Sequence, residues 1–234
     1  MPREIRSFRR LTVSAMLIIL VTIPIVAQTP DPPIARSTAR VEYVEGDVRI
    51  DGRPAAFGQR VSFGALIQTA EDGYVDVVFE EGNILRIDPD SVVRLSLGRR
   101  IRRVSLRSGQ LAAVAEGLRR DSTERRLILE TPNTVAGVRG TLFFARVESA
   151  ESTYVCTCYG ELEMEGPGFD AFSVQSDHHA ARRFTRRGDG TIDVVEAALL
   201  YHDDDDMNAL AAKVDITVDW GNYGGYSDGS PGSY

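Results

Sequence analysis

Short runs in which apolar and polar residues alternate, each closed by a turn signal, constrain the fold of this chain more than any other feature. They continue from Val41 to about Ser176, as in "VEYVEGDVRI", "YVDVVFEEGN", "VVRLSL" and "TYVCTCYGELEME". Alternation places one face of a strand in a core, and the Asp-Gly, Glu-Gly and Ser-Gly pairs between runs supply the positive φ of hairpin turns. The pattern predicts a mainly β domain of many short strands, largely antiparallel, built as a sandwich or a rolled barrel.

The pattern changes after Ser176, where apolar residues recur at helical spacing. Two sets of residues share this spacing: Ile192, Val195 and Leu199, and then Met207, Leu210 and Ala211. They predict two short C-terminal helices, separated by the acidic run 203–206. Carboxylates accept hydrogen bonds from the free N–H groups of a first helical turn, so the acidic run is expected to cap the second helix.

The N-terminus indicates export. A basic start, "MPREIRSFRR", precedes an apolar stretch that ends near Ala27, which predicts a signal peptide over 1–27 or, alternatively, an uncleaved membrane anchor. Residues 1–27 carry a net charge of +3, so their removal changes the net charge from −7 to −10. This acidic balance argues against nucleic-acid partners. We expect a location in the periplasm or cell envelope, with a Pro-rich linker over 28–39.

Several motifs of the β region resemble the FecR domain family. They include "VEGDVRIDG", "VSLRSGQLAAVA" and, most specifically, "TPNTVAGVRGTLF" at 131–143. Gly137 and Gly140 in this last motif permit close backbone approach or a bulge before a buried strand. The resemblance covers residues 40–165. It implies a β fold outside the cytoplasm, in a family named after membrane-spanning regulators that receive a signal from an iron transporter and control a sigma factor.

The chain departs from that regulator plan, because only about ten residues precede the apolar stretch. A sigma-regulator domain is therefore not expected there, and the resemblance implies an envelope sensing or interaction module. We expect residues 166–216 to form a C-terminal extension with one or two strands and the two helices. Residues 217–234, rich in Gly, Ser and Tyr, are predicted to be a disordered tail.

The chain has two cysteines, Cys156 and Cys158, one residue apart in a predicted strand. Side chains at i and i+2 of a strand point to the same face, with Cα atoms about 6.6 Å apart. Because this separation is at the upper edge of disulfide geometry, a bond between the two sulfurs is disfavoured. Two thiolates on one face can instead share a single ion, since metal–sulfur bonds of about 2.3 Å tolerate the wider separation.

All three histidines, His178, His179 and His202, follow the cysteines in the sequence. The strand "FSVQS" is a candidate hairpin partner of the cysteine strand, and the extension can bring His202 to the same place. We therefore predict a metal site with Cys156 and Cys158 as thiolate ligands, and with His178, His179 and His202 as candidate imidazole ligands. Zinc suits two sulfurs and two nitrogens, and iron or copper are alternatives. Adjacent histidines on a strand face opposite sides, so one of the pair can lie outside the site.

Two other interpretations of the cysteines remain open, a redox-labile dithiol and an inert buried pair. The sequence contains no nucleophile elbow, HExxH motif, phosphate loop or dinucleotide fingerprint, so no catalytic residue is assigned and no enzyme is expected. The predicted function is envelope sensing or ligand binding with a Cys/His metal site, acting on an envelope protein or a small ligand. The alternative is a metal-free protein-interaction module outside the cytoplasm.

Overall fold

Fourteen β-strands and one α-helix form the regular structure of the residues that this computed structural model describes, which are 39–80, 82–98, 102–115 and 127–221. These residues belong to one compact unit, Ile34–Tyr234. The strands are β1 (Arg40–Glu45), β2 (Val48–Ile50), β3 (Arg53–Pro54), β4 (Ala65–Thr69), β5 (Tyr74–Val78), β6 (Asn83–Ile87), β7 (Val92–Leu97), β8 (Arg102–Ala115), β9 (Leu127–Glu130), β10 (Val135–Val147), β11 (Ser152–Gly166), β12 (Phe169–Ser176), β13 (Ala180–Arg186) and β14 (Ile192–Ala197). The helix, α1, is Asp204–Ala212.

The strands follow the alternation of the sequence. In β7, for example, Val93, Leu95 and Leu97 are buried, and the residues between them are partly exposed. Pairing among the described strands is antiparallel apart from β8 and β9, which run parallel over four residue pairs. The predicted mainly β, largely antiparallel fold is confirmed.

Three long strands, β8, β10 and β11, bend and take part in both layers of the fold. Residues 102–108 of β8 pair with β7, whereas residues 109–114 pair with β10. Each long strand contains one glycine of positive φ at its bend: Gly109 in β8, Gly140 in β10 and Gly160 in β11. The register between β10 and β11 shifts between Arg139 and Leu142, a span that includes Gly140, and again between Leu142 and Phe143, so the predicted bulge is present.

The bends divide the strands into two half-sheets. The first half-sheet has the order β14-β13-β11-β10-β8-β6-β5-β1, and the second has the order β12-β11-β10-β9-β8-β7-β4-β2-β3. A main apolar core draws on both, with Val77 and Ile87 from the first and Ile67 and Val93 from the second. Because the sheet is not closed, and strands β14 and β3 end its path, the fold is a sandwich rather than a barrel.

The outer face of the first half-sheet carries a second apolar cluster. Ile84, Val114 and Phe144 contribute from the strands, and Met207 and Leu210 contribute from α1. The chain after the helix continues over the same face, where Val214, Ile216, Val218 and Trp220 pack against the cluster. We call residues 198–221, which include α1, the C-terminal cover.

The prediction of two helices and one or two strands in residues 166–216 is wrong in part, because the segment contains one helix and three strands, β12, β13 and β14. The segment containing Ile192 and Val195 is strand β14, which pairs with β13 from Arg186↔Ile192 to Ala181↔Ala197. Ile192 is also two residues from Val194, and both pack towards the main core. This two-residue spacing and the β-branched side chains favour an extended strand once β13 offers a partner.

The second predicted helix is confirmed as α1, together with its acidic cap. The Asp203 side chain accepts a hydrogen bond from the backbone N–H of Asp206, and the Asp206 side chain accepts one from the backbone N–H of Asp203. This reciprocal capping box satisfies N–H groups that a first helical turn leaves free. The cap therefore fixes the start of the helix at Asp204, two residues after His202.

The predicted leader, 1–27, and the linker up to residue 38 lie outside the described residues. In the predicted tail, residues 217–221 are described and contact the outer face, while residues 222–234 lie outside the described residues. Within the part of the chain that the structure describes, no helix has the length and apolar character needed to cross a membrane.

Candidate metal centre

Cys156 and Cys158 project from the same face of β11, as their spacing predicted. Both are completely buried in the outer apolar cluster, and neither forms a disulfide. Val155, the neighbour of Cys156, points the other way into the main core. The central position of β11, between β10 and β13, fixes the strand from both sides, so the two sulfurs have little freedom to move.

His202 lies against Cys158. Its Nε2 atom is 3.2 Å from the Cys158 Sγ atom, and its side chain is buried. The Nδ1 atom is 2.9 Å from the carbonyl oxygen of Leu200, an acceptor, so Nδ1 carries the proton and Nε2 presents its lone pair to the sulfur. The ring stacks on Phe144 with centroids 4.4 Å apart.

Tyr154, two residues before Cys156 on β11, holds the loop that carries His202. Its hydroxyl donates a hydrogen bond to the carbonyl of Ala198 and accepts one from the N–H of Leu200. The tyrosine is fully buried. The strand that supplies the cysteines therefore also positions the third side chain of the cluster.

His179 completes the group on the side of Cys156. Its Nδ1 atom is 3.6 Å from the Cys156 Sγ atom, and its Nε2 atom is 2.8 Å from the Asp204 Oδ1 atom. The carboxylate accepts the Nε2 proton, which leaves Nδ1 free to bind a cation. The side chain is only 3% exposed. A hydrogen bond from its backbone N–H to the Cys158 carbonyl, 3.0 Å long, fixes the residue beside the strand.

Four potential ligand atoms therefore meet, from Cys156, Cys158, His179 and His202, and all lie within 4.8 Å of one another. Tetrahedral zinc with ordinary bond lengths places its sulfur and nitrogen ligands about 3.6 Å apart. The sulfur–nitrogen distances of 3.6 Å and 3.2 Å are close to this value. Two thiolates and two imidazoles also suit Cu(I) or iron. Each imidazole has its other nitrogen bonded to a protein acceptor, as metal-binding histidines usually do.

The pKa values of the two cysteines are shifted in opposite directions. Burial alone raises the pKa of Cys156, but hydrogen bonds from Cys158, His179 and His202 outweigh burial and hold that pKa well below its ordinary value. Burial, followed by the hydrogen bond and charge of Cys156, raises the pKa of Cys158 well above its ordinary value. One thiolate is therefore favoured in the cluster, and it faces His179.

His179 responds to the same charges. Burial lowers its pKa, but the hydrogen bonds and charges of Cys156 and Asp204 outweigh burial and raise it. A metal ion would take the place of the protons that these groups share, so binding would release protons.

His178 is separated from the cysteines. Its side chain is 53% exposed, and its Nε2 atom lies 3.1 Å from each carboxylate oxygen of Asp204. Of the five residues predicted from the sequence, four form the cluster and His178 lies outside it. The two residues precede β13 and are not in a strand, and His179 has a positive φ of 52°. Their rings therefore do not take opposite faces: the centroids are 5.1 Å apart, and both Nε2 atoms contact Asp204.

The residues that orient and cover the cluster are not apparent from the sequence patterns. Asp204 was interpreted only as part of a helix cap, although its carboxylate also accepts hydrogen bonds from both His178 and His179. Trp220 stacks on His179 with ring centroids 5.0 Å apart, and it was assigned to a disordered tail. A lone tryptophan in a Gly- and Tyr-rich segment was the available signal for a packed segment.

Comparison with known proteins gives the following results. Residues 65–162 match the family model described as FecR protein. Two crystal structures of a proposed anti-sigma factor from Parabacteroides distasonis ATCC 8503 are similar at 14% identity and a TM-score of 0.46, with 56% of this chain covered. The similarity spans 58% of the length of those chains. Among curated proteins, none matches the chain. The family match includes both cysteines and ends before His179.

Proposed function

We propose that the protein is an exported sensing or ligand-binding protein of the cell envelope, with a Cys₂His₂ metal site beside the segment, residues 65–162, that matches the FecR family model. Zinc is the proposed ion, with iron or Cu(I) as alternatives. The signal-like N-terminus supports export, and the acidic composition supports a protein or small-molecule partner rather than nucleic acid.

One observation carries the metal site. Four buried ligand atoms lie within 4.8 Å of one another. Asp204 and the Leu200 carbonyl each accept one ring proton, so the second nitrogen of each imidazole, the one available to a cation, faces the sulfurs. An inert pair of buried cysteines would not require two histidines from distant segments to turn a ring nitrogen towards the sulfurs.

The proposed role is binding and not catalysis. Catalytic zinc sites keep an open coordination position for water or substrate, whereas four protein ligands fill a tetrahedral shell. The rings of Phe144 and Trp220 cover the imidazoles. The ion would be either structural, tying the C-terminal cover to the FecR domain, or the species that is sensed.

Elemental analysis of the mature protein, purified from the exported fraction, tests this proposal. We expect about one zinc, iron or copper ion per chain, as four ligands for one ion require. Cys158→Ser should lose the ion, and His178→Ala should keep it, because His178 lies outside the four-residue cluster. Circular dichroism of each variant shows whether loss of metal accompanies loss of fold.

A metal-free protein with two titratable thiols would contradict the proposal. That result would favour the metal-free interaction module instead. Reversible oxidation of the thiols with activity towards a disulfide substrate would indicate the redox class. Recovery of the protein with an intact leader in the cytoplasmic fraction would contradict export.

A further inference from the structure

A second group of metal-binding side chains lies on the surface beside the buried cluster. It consists of His178, His179 and Asp204, whose ligand atoms lie within 4.8 Å of one another. Asp204 is 43% exposed and His178 is 53% exposed. His179 belongs to both groups, since its Nε2 atom faces Asp204 and its Nδ1 atom faces Cys156. One imidazole ring therefore separates an exposed set of nitrogen and oxygen ligands from a buried set of nitrogen and sulfur ligands.

The buried cluster has no exposed ligand through which an ion from solution could first be bound. Both cysteines are completely buried, and the side chain of His179 is 3% exposed. Trp220 closes the side nearest the surface, where its ring stacks on His179 and also contacts His178, with centroids 5.5 Å apart. An incoming ion therefore has to be held at the surface while the tryptophan moves aside.

Negative charge also favours cation binding at the surface beside His178. Asp203, Asp204, Asp205 and Asp206 are consecutive, and three of them form the first turn of α1. A concentration of negative charge raises the local concentration of cations and their rate of association. Asp204 is the member of this run that contacts His178, with 3.1 Å between its Oδ1 atom and the His178 Nε2 atom.

We propose that His178 and Asp204 form a capture site, which binds a hydrated divalent cation and passes it, past His179, to the buried cluster. This inference rests on the metal site proposed above. Imidazole and carboxylate ligands accept an ion that still carries water, whereas the buried thiolates hold zinc-like ions more firmly once the water has been lost. Transfer of the ion from the capture site to the buried cluster is therefore favourable in free energy. His178 affects the rate at which the buried cluster is loaded and not its final occupancy.

Stopped-flow loading with Co²⁺ tests the proposal, because thiolate-to-cobalt charge-transfer absorption develops only when the ion reaches Cys156 and Cys158. Metal-free wild type, His178→Ala and the control Asp205→Asn are mixed with limiting Co²⁺. Asp205 is exposed on the same helical turn, so its substitution removes one charge without removing a ligand of the capture site. We expect His178→Ala to load about tenfold more slowly than wild type, with the same final absorbance, and Asp205→Asn to load within about twofold of wild type.

Equal loading rates for wild type and His178→Ala would overturn the capture site. A second Co²⁺ that wild type retains and His178→Ala loses would also overturn it, because the surface group would then be a resident site. Absence of the charge-transfer band in wild type would contradict the buried metal site itself, and the capture site would be contradicted with it.

Discussion

The Nε2 atom of His202 lies 3.2 Å from the Sγ atom of Cys158, although 44 residues separate the two in the chain. Cys158 lies in the segment that matches the FecR family model, and His202 belongs to the C-terminal cover. A shared ion would join these two parts directly, so metal binding and docking of the cover would be linked. Several measurable consequences depend on this link.

Removal of the proposed metal ion by a chelator is expected to lower the melting temperature of the wild-type protein. A ligand that binds only the folded state at 100 to 1,000 times its Kd stabilises it by about 3–4 kcal/mol. Without chelator, His202→Ala is expected to melt at the same temperature as chelator-treated wild type. Added chelator should not change the melting temperature of this variant. Differential scanning calorimetry with and without chelator provides the measurement. Identical melting temperatures for treated and untreated wild type would contradict the expectation.

Asp204→Asn is expected to weaken metal binding without abolishing it. The change removes the charge that holds the Nε2 proton of His179, and loss of such an outer-shell partner typically costs about 10–100-fold in metal affinity. Competition with a chromophoric chelator measures the Kd. Asp205→Asn, on the same turn, is the matched control and is expected to bind as wild type does. If both variants bind equally well, Asp204 does not orient His179.

Gly109→Ala is expected to destabilise the fold far more than Gly52→Ala. Both glycines have a positive φ, 79° and 76°, so both substitutions carry the cost of that backbone conformation, about 1–2 kcal/mol. At Gly109 a Cβ atom would also lie 2.5 Å from the Cα atom of Ser91, whereas at Gly52 it would meet nothing within 4 Å. We expect a loss of about 3 kcal/mol or more for Gly109→Ala in urea denaturation. Similar losses for the two variants would show that the β8 bend relaxes around the added methyl group.

Asp88→Asn is expected to stabilise the protein at neutral pH. Burial raises the pKa of Asp88 from 3.8 to about 6, while the hydrogen bond from Gln110 opposes that increase. The unfolded chain loses this proton near the lower value and the folded protein near the higher one, so stability falls as the pH rises between them. The variant has no proton to lose, and its amide oxygen can still accept the hydrogen bond from Gln110.

The expected gain for Asp88→Asn is on the order of 2 kcal/mol at pH 7.5, and it should disappear below about pH 4. Chemical denaturation at a series of pH values measures the difference. A variant that is less stable than wild type at pH 7.5 would show that the charged carboxylate has a favourable partner in the folded state.

Strand alternation and turn pairs were sufficient to predict the β class, since each run needs only its own residues to define a buried face. The same geometry predicted that Cys156 and Cys158 share a face. The strand "FSVQS" does pair with β11, as expected for a hairpin, but it lies beside residues 160–164. The cysteine end of β11 pairs with β13 instead, from Ser152↔Thr185 to Thr157↔Ala180. Which end of a long strand receives a partner depends on the bend at Gly160, which local patterns do not encode.

The orientation of the histidines required tertiary information. His179 and Asp204 are 25 residues apart, and they meet because α1 packs on the outer face of the half-sheet that contains β13. No local spacing distinguishes His179 from His178. The strand β14 was misassigned for a related reason, because the spacing of Ile192 and Val195 fits a helix until pairing with β13 is considered.

The three strands that bend at glycine have one further consequence. β8, β10 and β11 each supply backbone hydrogen bonds to both layers. If one layer unfolds, the other therefore loses the strand pairing that these three strands provide. The sandwich is consequently expected to melt in a single cooperative transition, with amides at the cysteine end of β11 among the last to exchange their hydrogens with solvent.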